Sequence, residues 1–338
     1  VTDTDTDVGD SLLADIITAA ELSHKEFPAL AQFVEGIIIE GFGIVAGPPK
    51  LGKSWFTLGI ALAVAAGGYA LGKIQCQQRP VLLLSLEDSQ RRLQDRISAI
   101  WDDAIPPHKL HLLTHVGPNL LIPTISAWLI NHPNGLVILD TLGRARPQRK
   151  RGDDPYIADY QAGVALKTIV DTFPGSALLG VHHTRKASSD DFVDDLSGTL
   201  GLAGSADYIL VLRRPRNSND ATLQTTGRDA PEGEYALTVH AGNWTLVGTD
   251  LTAAAAAIET RKAEGKLADR SLDVLNIVNT RAESGEYTTS ADIAEKIGLD
   301  RNTAGVYLQR LAAADRITKH SRGVYTAVGS VGTVVNPP

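Results

Sequence analysis

Between Gly36 and Trp244, short apolar runs alternate with stretches of helical spacing. Six of the runs, "GFGIVAG", "PVLLLSLED", "KLHLLTH", "GLVILDT", "SALLGVHH" and "ADYILVLRR", are bounded by turn residues. A strand with one wet face alternates apolar and polar positions, whereas these are nearly continuous, as in a sheet covered on both faces. With helices between them, the pattern predicts an α/β domain with a parallel central sheet. Two later runs, "ATLQTTGRD" and "EYALTVHAGNWTLVG", flank the turn-rich "APEG" and predict a closing hairpin.

After Asp250 the pattern changes. "LTAAAAAIETRKAEGK" joins five alanines to alternating charges, which favours a solvated helix without a core stripe, a linker over residues 251–268. "SLDVLNIVNT" has the spacing of one amphipathic helix, and "TTSADIAEKIGLDRNTAGVYLQRLAAADRITKHSRGVYTAV" reads as helix, turn, helix and β-wing. Ser290 is the expected cap of the first of these helices, Gly298 its end, and Asp300 or Asn302 the start of the next. The expected divisions are an acidic tail with helical lead-in (1–35), an α/β domain (36–250), the linker helix (251–268), a small helical domain with a wing (269–328) and a flexible tail (329–338).

A chain of 338 residues can bury a large core without staples. Its single cysteine, Cys76, excludes an internal disulfide and a cysteine-based zinc cluster, and a reducing, cytoplasmic compartment is expected. No apolar run has membrane-spanning length, no signal-peptide pattern stands at the start, and "VTDTDTDVGD" has the composition of a disordered segment. The net charge of −7 means that nucleic acid could be met only by local basic patches.

The strongest chemical signal is "GPPKLGKSW", Gly47-Pro48-Pro49-Lys50-Leu51-Gly52-Lys53-Ser54-Trp55, set between a strand and a helix. Its glycines let main-chain N–H groups curl around a phosphate, and the helix adds the positive end of its dipole. Lys53 then reaches the β- and γ-phosphates and Ser54 places a hydroxyl on Mg²⁺, which makes ATP and Mg²⁺ the expected ligands. By chance the pattern arises in roughly one chain of this length in a hundred, before its context is required. Asp140 ends an apolar strand, where ligands of open α/β sheets gather, and is the expected second metal-site residue. Glu87 ends another strand and is the candidate to activate water, with Asp88 left to cap the helix that follows. His182 and His183 are neighbours on a strand and point to opposite faces, while His108, His111 and His115 have no ligand spacing, so no zinc site is expected.

In this order, "GPPKLGKSW", "LLLSLEDSQRRLQDRI", "LVILDTLGRAR", "GVHHTRK", "LSGTLGLAGSADYILVLRR" and "TTGRD" resemble the RecA-like ATPases of the hexameric helicase group. The resemblance spans Leu13 to Val247, is strongest to RepA-type plasmid helicases, and extends more distantly to DnaB-type helicases. It implies a RecA-like P-loop NTPase core, with Glu87 orienting water, His183 sensing the γ-phosphate and Arg228 serving as an arginine finger lent across a subunit boundary. DnaB-type proteins carry a lysine two residues before that arginine, where this chain has Thr226; Arg213 and Arg214 are nearby substitutes for the second cation. A ring of six around DNA follows from the resemblance, with a primase or replication initiator as a partner left open. Two loops would face single-stranded DNA, one with Arg144, Arg146, Arg149, Lys150 and Arg151, the other with Arg185 and Lys186 followed by four aspartates.

The C-terminal pattern resembles the winged helix-turn-helix domains of bacterial regulators. From Ser271 to Asp300, Arg281 and Lys296 face six carboxylates (2 − 6 = −4), whereas from Arg301 to Arg322 five cations face Asp315 (5 − 1 = +4). Arg301, Arg310, Lys319 and Arg322 are thus candidate contacts to duplex DNA. Three functions remain open: a DNA helicase or translocase, a DNA-binding regulator switched by ATP, and a recombination ATPase that coats single strands.

Overall fold

The computed structural model describes residues 13, 16–102, 104–117, 119–144, 155–184 and 200–329. These fall into two compact units, one within residues 1–233 and 237–246, the other within 234–236 and 247–338.

In the first unit a short helix, α1 (Ala19–Ser23), is followed by a small antiparallel pair, β1 (Gln32–Val34) and β2 (Ile38–Ile39). Strand β3 (Gly41–Gly47) then enters the main sheet and leads into α2 (Lys53–Ala66), after which β4 (Tyr69–Ala70) and β5 (Ile74–Gln75) make a second small pair. The alternation continues through β6 (Val81–Ser85), α3 (Gln90–Trp101), β7 (Leu110–Leu113), α4 (Leu121–Asn131), β8 (Leu136–Asp140), α5 (Pro155–Asp171), β9 (Ala177–His183), α6 (Leu200–Ser205) and β10 (Tyr208–Arg213). Then come β11 (Asp220–Gly227), β12 (Gly233–His240) and β13 (Asn243–Leu246), giving nine strands in the order β13-β12-β11-β10-β3-β9-β8-β6-β7.

The six strands from β10 to β7 are parallel, and β11 turns back antiparallel to β10. Every residue of β6 and β8 is buried, the expected consequence of apolar strands covered on both faces. Phe42, Ile44, Leu84, Leu139 and Leu178 from the strands pack with Ile125, Leu129 and Leu166 from the helices. The edge strand β7 is only partly buried.

Next to the phosphate-loop strand, β10 is fitted by shape. Tyr208 pairs in register with Gly43, and a Cβ at Gly43 would stand 2.3 Å from the tyrosine ring. The ring is buried, and its hydroxyl donates to the Ile39 carbonyl at 3.2 Å.

The closing hairpin has a third strand. Ala241 (φ 48°) and Gly242 (φ 87°) form a two-residue turn between the paired His240 and Asn243, so the run from Tyr235 to Leu246 folds back on itself. Positive φ at both central positions matches the right-handed twist of the flanking strands.

The second unit begins with one 33-residue helix, α7 (Leu251–Glu283), capped by Asp250, whose carboxylate accepts from the Ala253 N–H at 2.9 Å. The expected linker helix and the first helix of the C-terminal domain are thus a single element that runs through the 268/269 boundary. Its alanine-rich start is not wholly solvated, since Ala254 and Ile258 are buried. After it come β14 (Thr288–Thr289), α8 (Ser290–Ile297), α9 (Arg301–Ala313), β15 (Ile317–Ser321) and β16 (Val324–Ala327), with strand order β14-β16-β15.

A separate core of Val274, Val278, Ile293, Ala304, Leu308, Ile317 and Tyr325 joins these elements. The cap of α8 is Thr289, one residue before the expected Ser290, in a reciprocal box with Asp292. Asp300 caps α9 by accepting from the N–H groups of Asn302 and Thr303, both at 3.0 Å.

Candidate functional site

Strand β3 delivers its last residue, Gly47, into a loop in which Lys50 (φ 64°) and Gly52 (φ 109°) take left-handed conformations. Gly52 is the N-cap of α2 and offers no side chain to the first N–H groups of the helix. An α-helix that starts this way presents unsatisfied donors and the positive end of its dipole to whatever the loop encloses.

Lys53 folds back into this loop and is 4% exposed. Its ammonium donates to the carbonyls of Gly47 at 2.7 Å and Pro48 at 2.9 Å, and meets His183 Nδ1 at 2.9 Å. An ammonium has three donors, and all three are engaged, so Nδ1 is the acceptor on His183 and the ring proton sits on Nε2. That nitrogen lies 4.0 Å from Glu87 Oε2. Burial lowers the Lys53 pKa to about 8, with the carboxylates of Asp140 and Glu87 pulling the other way. His183 is held below its ordinary value by burial and by the charge of Lys53, again opposed by Glu87.

Sheet register brings the remaining groups to the same edge. Gly47 pairs with His183 between β3 and β9, and Ser85 pairs with Asp140 between β6 and β8. Asp140 is buried, and burial raises its pKa against the hydrogen bond from Ser54 and the charge of Lys53, while Glu87 and Asp88 push it higher. Ser54 and Asp140 offer hard oxygen donors side by side, a set that fits Mg²⁺.

Asp88 differs from its expected place. Ser89 is the N-cap of α3, accepting from the Arg92 N–H at 3.3 Å. Asp88 instead turns inward, 7% exposed, pairing with Arg92 at 3.2 Å and with Arg96 and accepting from Ser85 Oγ at 3.3 Å. A carboxylate so placed gains more from two guanidinium partners than from a helix end that Ser89 already satisfies.

Arg96 also lies over the Trp55 ring, 5.5 Å from its centroid, and Trp55 packs on the Gly242 turn, where a Cβ would come within 2.3 Å of the ring. The side chain of Trp55 therefore faces the β12–β13 turn and Arg96, and its place in the loop is through its main chain. Trp244 stands against Gly52 and makes an edge contact with Phe56 at 5.6 Å. Arg96 lies within the stretch "LLLSLEDSQRRLQDRI" but has no role read from it, and Trp244 is marked by no motif.

Arg228 lies elsewhere. It follows β11, whose last residue, Gly227, pairs with Tyr208, which in turn pairs with Gly43. Its N–H donates to the Asp207 carbonyl at 2.9 Å. The phosphate loop is at the opposite end of β3, about 13 Å from Gly43 along the strand, so Arg228 is remote from the loop of its own chain. Arg213 and Arg214 end β10 on the loop side, and Arg214 Nε donates to the Ser218 carbonyl at 2.7 Å. Thr226 Oγ1 hydrogen-bonds Glu232 at 3.3 Å.

Of the other histidines, His182 is buried, and His111 accepts from Trp128 Nε1 at 3.0 Å in a ring cluster with His132. Among the described residues, no group of three or more His, Cys, Asp or Glu side chains could hold a metal ion, and no helix is long and apolar enough to cross a membrane. Arg144 is exposed at the end of a short 3-10 turn (Leu142–Arg144) after Asp140. Arg146, Arg149, Lys150, Arg151, Arg185 and Lys186 lie outside the described residues. Arg301, Arg310, Lys319 and Arg322 are exposed in the second unit.

The strand carrying His183 runs between the phosphate-loop strand and the Asp140 strand, and a buried lysine faces both carboxylates at the mouth of an uncapped helix. Fold and site together define a RecA-like P-loop ATPase, a class that uses ATP with Mg²⁺. Residues 11–189 match the AAA domain family, and the chain belongs to it. No curated protein matches the sequence.

Two solved structures are similar in fold. One is described as a DnaB-like replicative helicase and its interactions with primase, with 16% identity, a TM-score of 0.48 and coverage of 64% of this chain and 58% of that one. The other is RadB recombinase, with 15% identity, a TM-score of 0.43 and coverage of 64% and 93%. The chain thus spans little more than half the length of the helicase it matches.

Proposed function

We propose that the protein is an ATP-hydrolysing DNA helicase or translocase that works as a ring, in the manner of the RepA-type helicases it resembles, in the replication of a plasmid, phage or other mobile element. Main-chain N–H groups of Lys50 to Ser54, in the loop of Gly47 to Ser54, and the Lys53 ammonium hold the β- and γ-phosphates. Ser54 and Asp140 hold Mg²⁺, which neutralises charge on the phosphate oxygens. Glu87, half-exposed beside His183, orients and deprotonates the attacking water. His183 accepts from Lys53 and stands 4.0 Å from Glu87, between the phosphate contact and the base.

The observation that carries the assembly is the position of Arg228 at the far end of the sheet from its own phosphate loop. A guanidinium there is placed to serve another subunit's site, through a head-to-tail interface that makes a ring where its rotation closes and a filament where it does not. DNA in the centre would be met by Arg144 and by the basic residues that follow it in sequence.

Mixing tests the shared site. Lys53→Ala and Arg228→Ala variants are each expected to lose ATP turnover. Mixed in equal amounts, they regain about a quarter of it, since one random interface in four joins an intact Lys53 to an intact Arg228. An Arg228→Ala variant that turns over normally, or a mixture that co-assembles and stays inactive, overturns the proposal.

The basic C-terminal unit favours a second reading, a DNA-binding regulator in which ATP controls assembly. Strand displacement on a forked substrate separates the two: unwinding that is lost with Lys53→Ala supports the motor, and ATP-dependent duplex binding without unwinding supports the regulator.

A further inference from the structure

Helix α9 divides cleanly into two faces. Ala304, Tyr307, Leu308 and Leu311 are buried in the core of the second unit. At about 100° per residue, the side opposite them carries Asn302, Gly305, Val306 and Gln309. Asn302, Val306 and Gln309 are exposed and fall within about 60° of one another, a single stripe along the helix. Arg301 and Arg310, both exposed, stand about 105° and about 75° from its centre, on opposite sides. The helix contains no carboxylate, and the acidic residue at its start, Asp300, is committed to capping it.

That arrangement matches the major groove of duplex DNA. The groove admits one α-helix, with phosphates along both walls and base edges along its floor. Arginines flanking a stripe meet the walls, and the stripe meets the floor. The side chains in the stripe are those that distinguish A·T pairs: the carboxamides of asparagine and glutamine each pair bidentately with adenine N6 and N7, and an aliphatic group packs on the thymine methyl. Exposed Lys319 and Arg322 at the β15–β16 hairpin add positive charge for the flanking backbone.

We propose that Asn302, Val306 and Gln309 form a base-reading stripe selective for A·T pairs in duplex DNA. The inference rests on the DNA-binding reading of the C-terminal unit and adds to it which residues choose the sequence.

The test uses the full chain. Selection from a random duplex library, followed by anisotropy on the selected duplex and a scrambled one, gives the preference directly. The expected motif contains A·T pairs, and Asn302→Ala and Gln309→Ala each reduce the preference about tenfold while binding to the scrambled duplex is kept. Arg310→Ala and Lys319→Ala weaken both duplexes alike and lower the salt slope by about one each. Circular dichroism confirms that each variant folds. A selected motif without A·T pairs, or one unchanged in Asn302→Ala and Gln309→Ala, overturns the stripe while leaving DNA binding intact. Failure to bind any duplex overturns the DNA-binding reading itself.

Discussion

Replacing Lys53 by methionine keeps the length and packing of the side chain and removes its charge. In the folded protein the ammonium is 4% exposed and titrates near 8 in place of its ordinary 10.5. Below about pH 8 the lysine is charged whether the chain is folded or not, and the folded state bears the whole cost of burying that charge. Between about 8 and 10.5 the unfolded chain holds a proton that the folded one has released, so stability rises with pH across this window. The gap from about 8 to 10.5, at about 1.4 kcal/mol per pH unit, amounts to about 3 kcal/mol.

Wild type should therefore gain about 3 kcal/mol relative to Lys53→Met as pH is raised from 8 to 10.5. Lost hydrogen bonds to Gly47 and Pro48 shift the variant by a constant and leave this slope unchanged. All four tryptophans, Trp55, Trp101, Trp128 and Trp244, belong to the first unit, so urea unfolding followed by tryptophan fluorescence isolates it. The measurement is made without nucleotide from pH 7 to 10.5. Taking the difference between the two proteins cancels the titrating groups that the charge of Lys53 does not reach; His183 and Asp140, which it does, are read separately from the low-pH end. A difference that stays flat over this range refutes the buried charge and the account of the phosphate site built on it.

Glu87→Gln is expected to lower ATP turnover by about 10²–10⁴-fold while nucleotide affinity is retained, measured by phosphate release and by titration with a fluorescent nucleotide. Equal turnover in the variant would remove Glu87 as the base. At Trp244, which is 6% exposed, truncation to alanine should cost about 3–5 kcal/mol in urea unfolding followed by circular dichroism. Trp244→Phe should cost far less, because the indole N–H is buried with no partner among the described residues and its removal leaves nothing unsatisfied.

The chemistry-bearing strands were legible because a strand buried on both faces is written as an apolar run ended by the residue it delivers, as with Asp140 and His183. The phosphate loop was legible because glycine spacing and strand–helix context constrain each other. Features that depend on contact across the fold were hidden. The β12–β13 turn sits in an apolar run with only Gly242 to mark it, and its partner, Ala241, gives no hint of a left-handed conformation. Asp88 looked like a cap because its position fits one; that it turns inward follows from Arg96 arriving two turns along α3. The alanine run from Ala253 to Ala257 looked solvated because alanine carries too little side chain to reveal which face is covered.

The fit between Gly43 and Tyr208 has a consequence for the geometry of the whole catalytic edge. Sliding β10 by one residue along β3 would set the aromatic ring against Phe42 or Ile44, where a side chain already fills the space, so the two strands mesh in one position, like a key in its lock. Because β11 hangs from β10, that single notch also determines where the arginine at its end is presented. An error of one tooth would carry Arg228 about 3.3 Å along the sheet and turn it to the other face. A glycine in the middle of a buried strand thereby sets where Arg228 stands, and in the proposed assembly how it meets the next molecule.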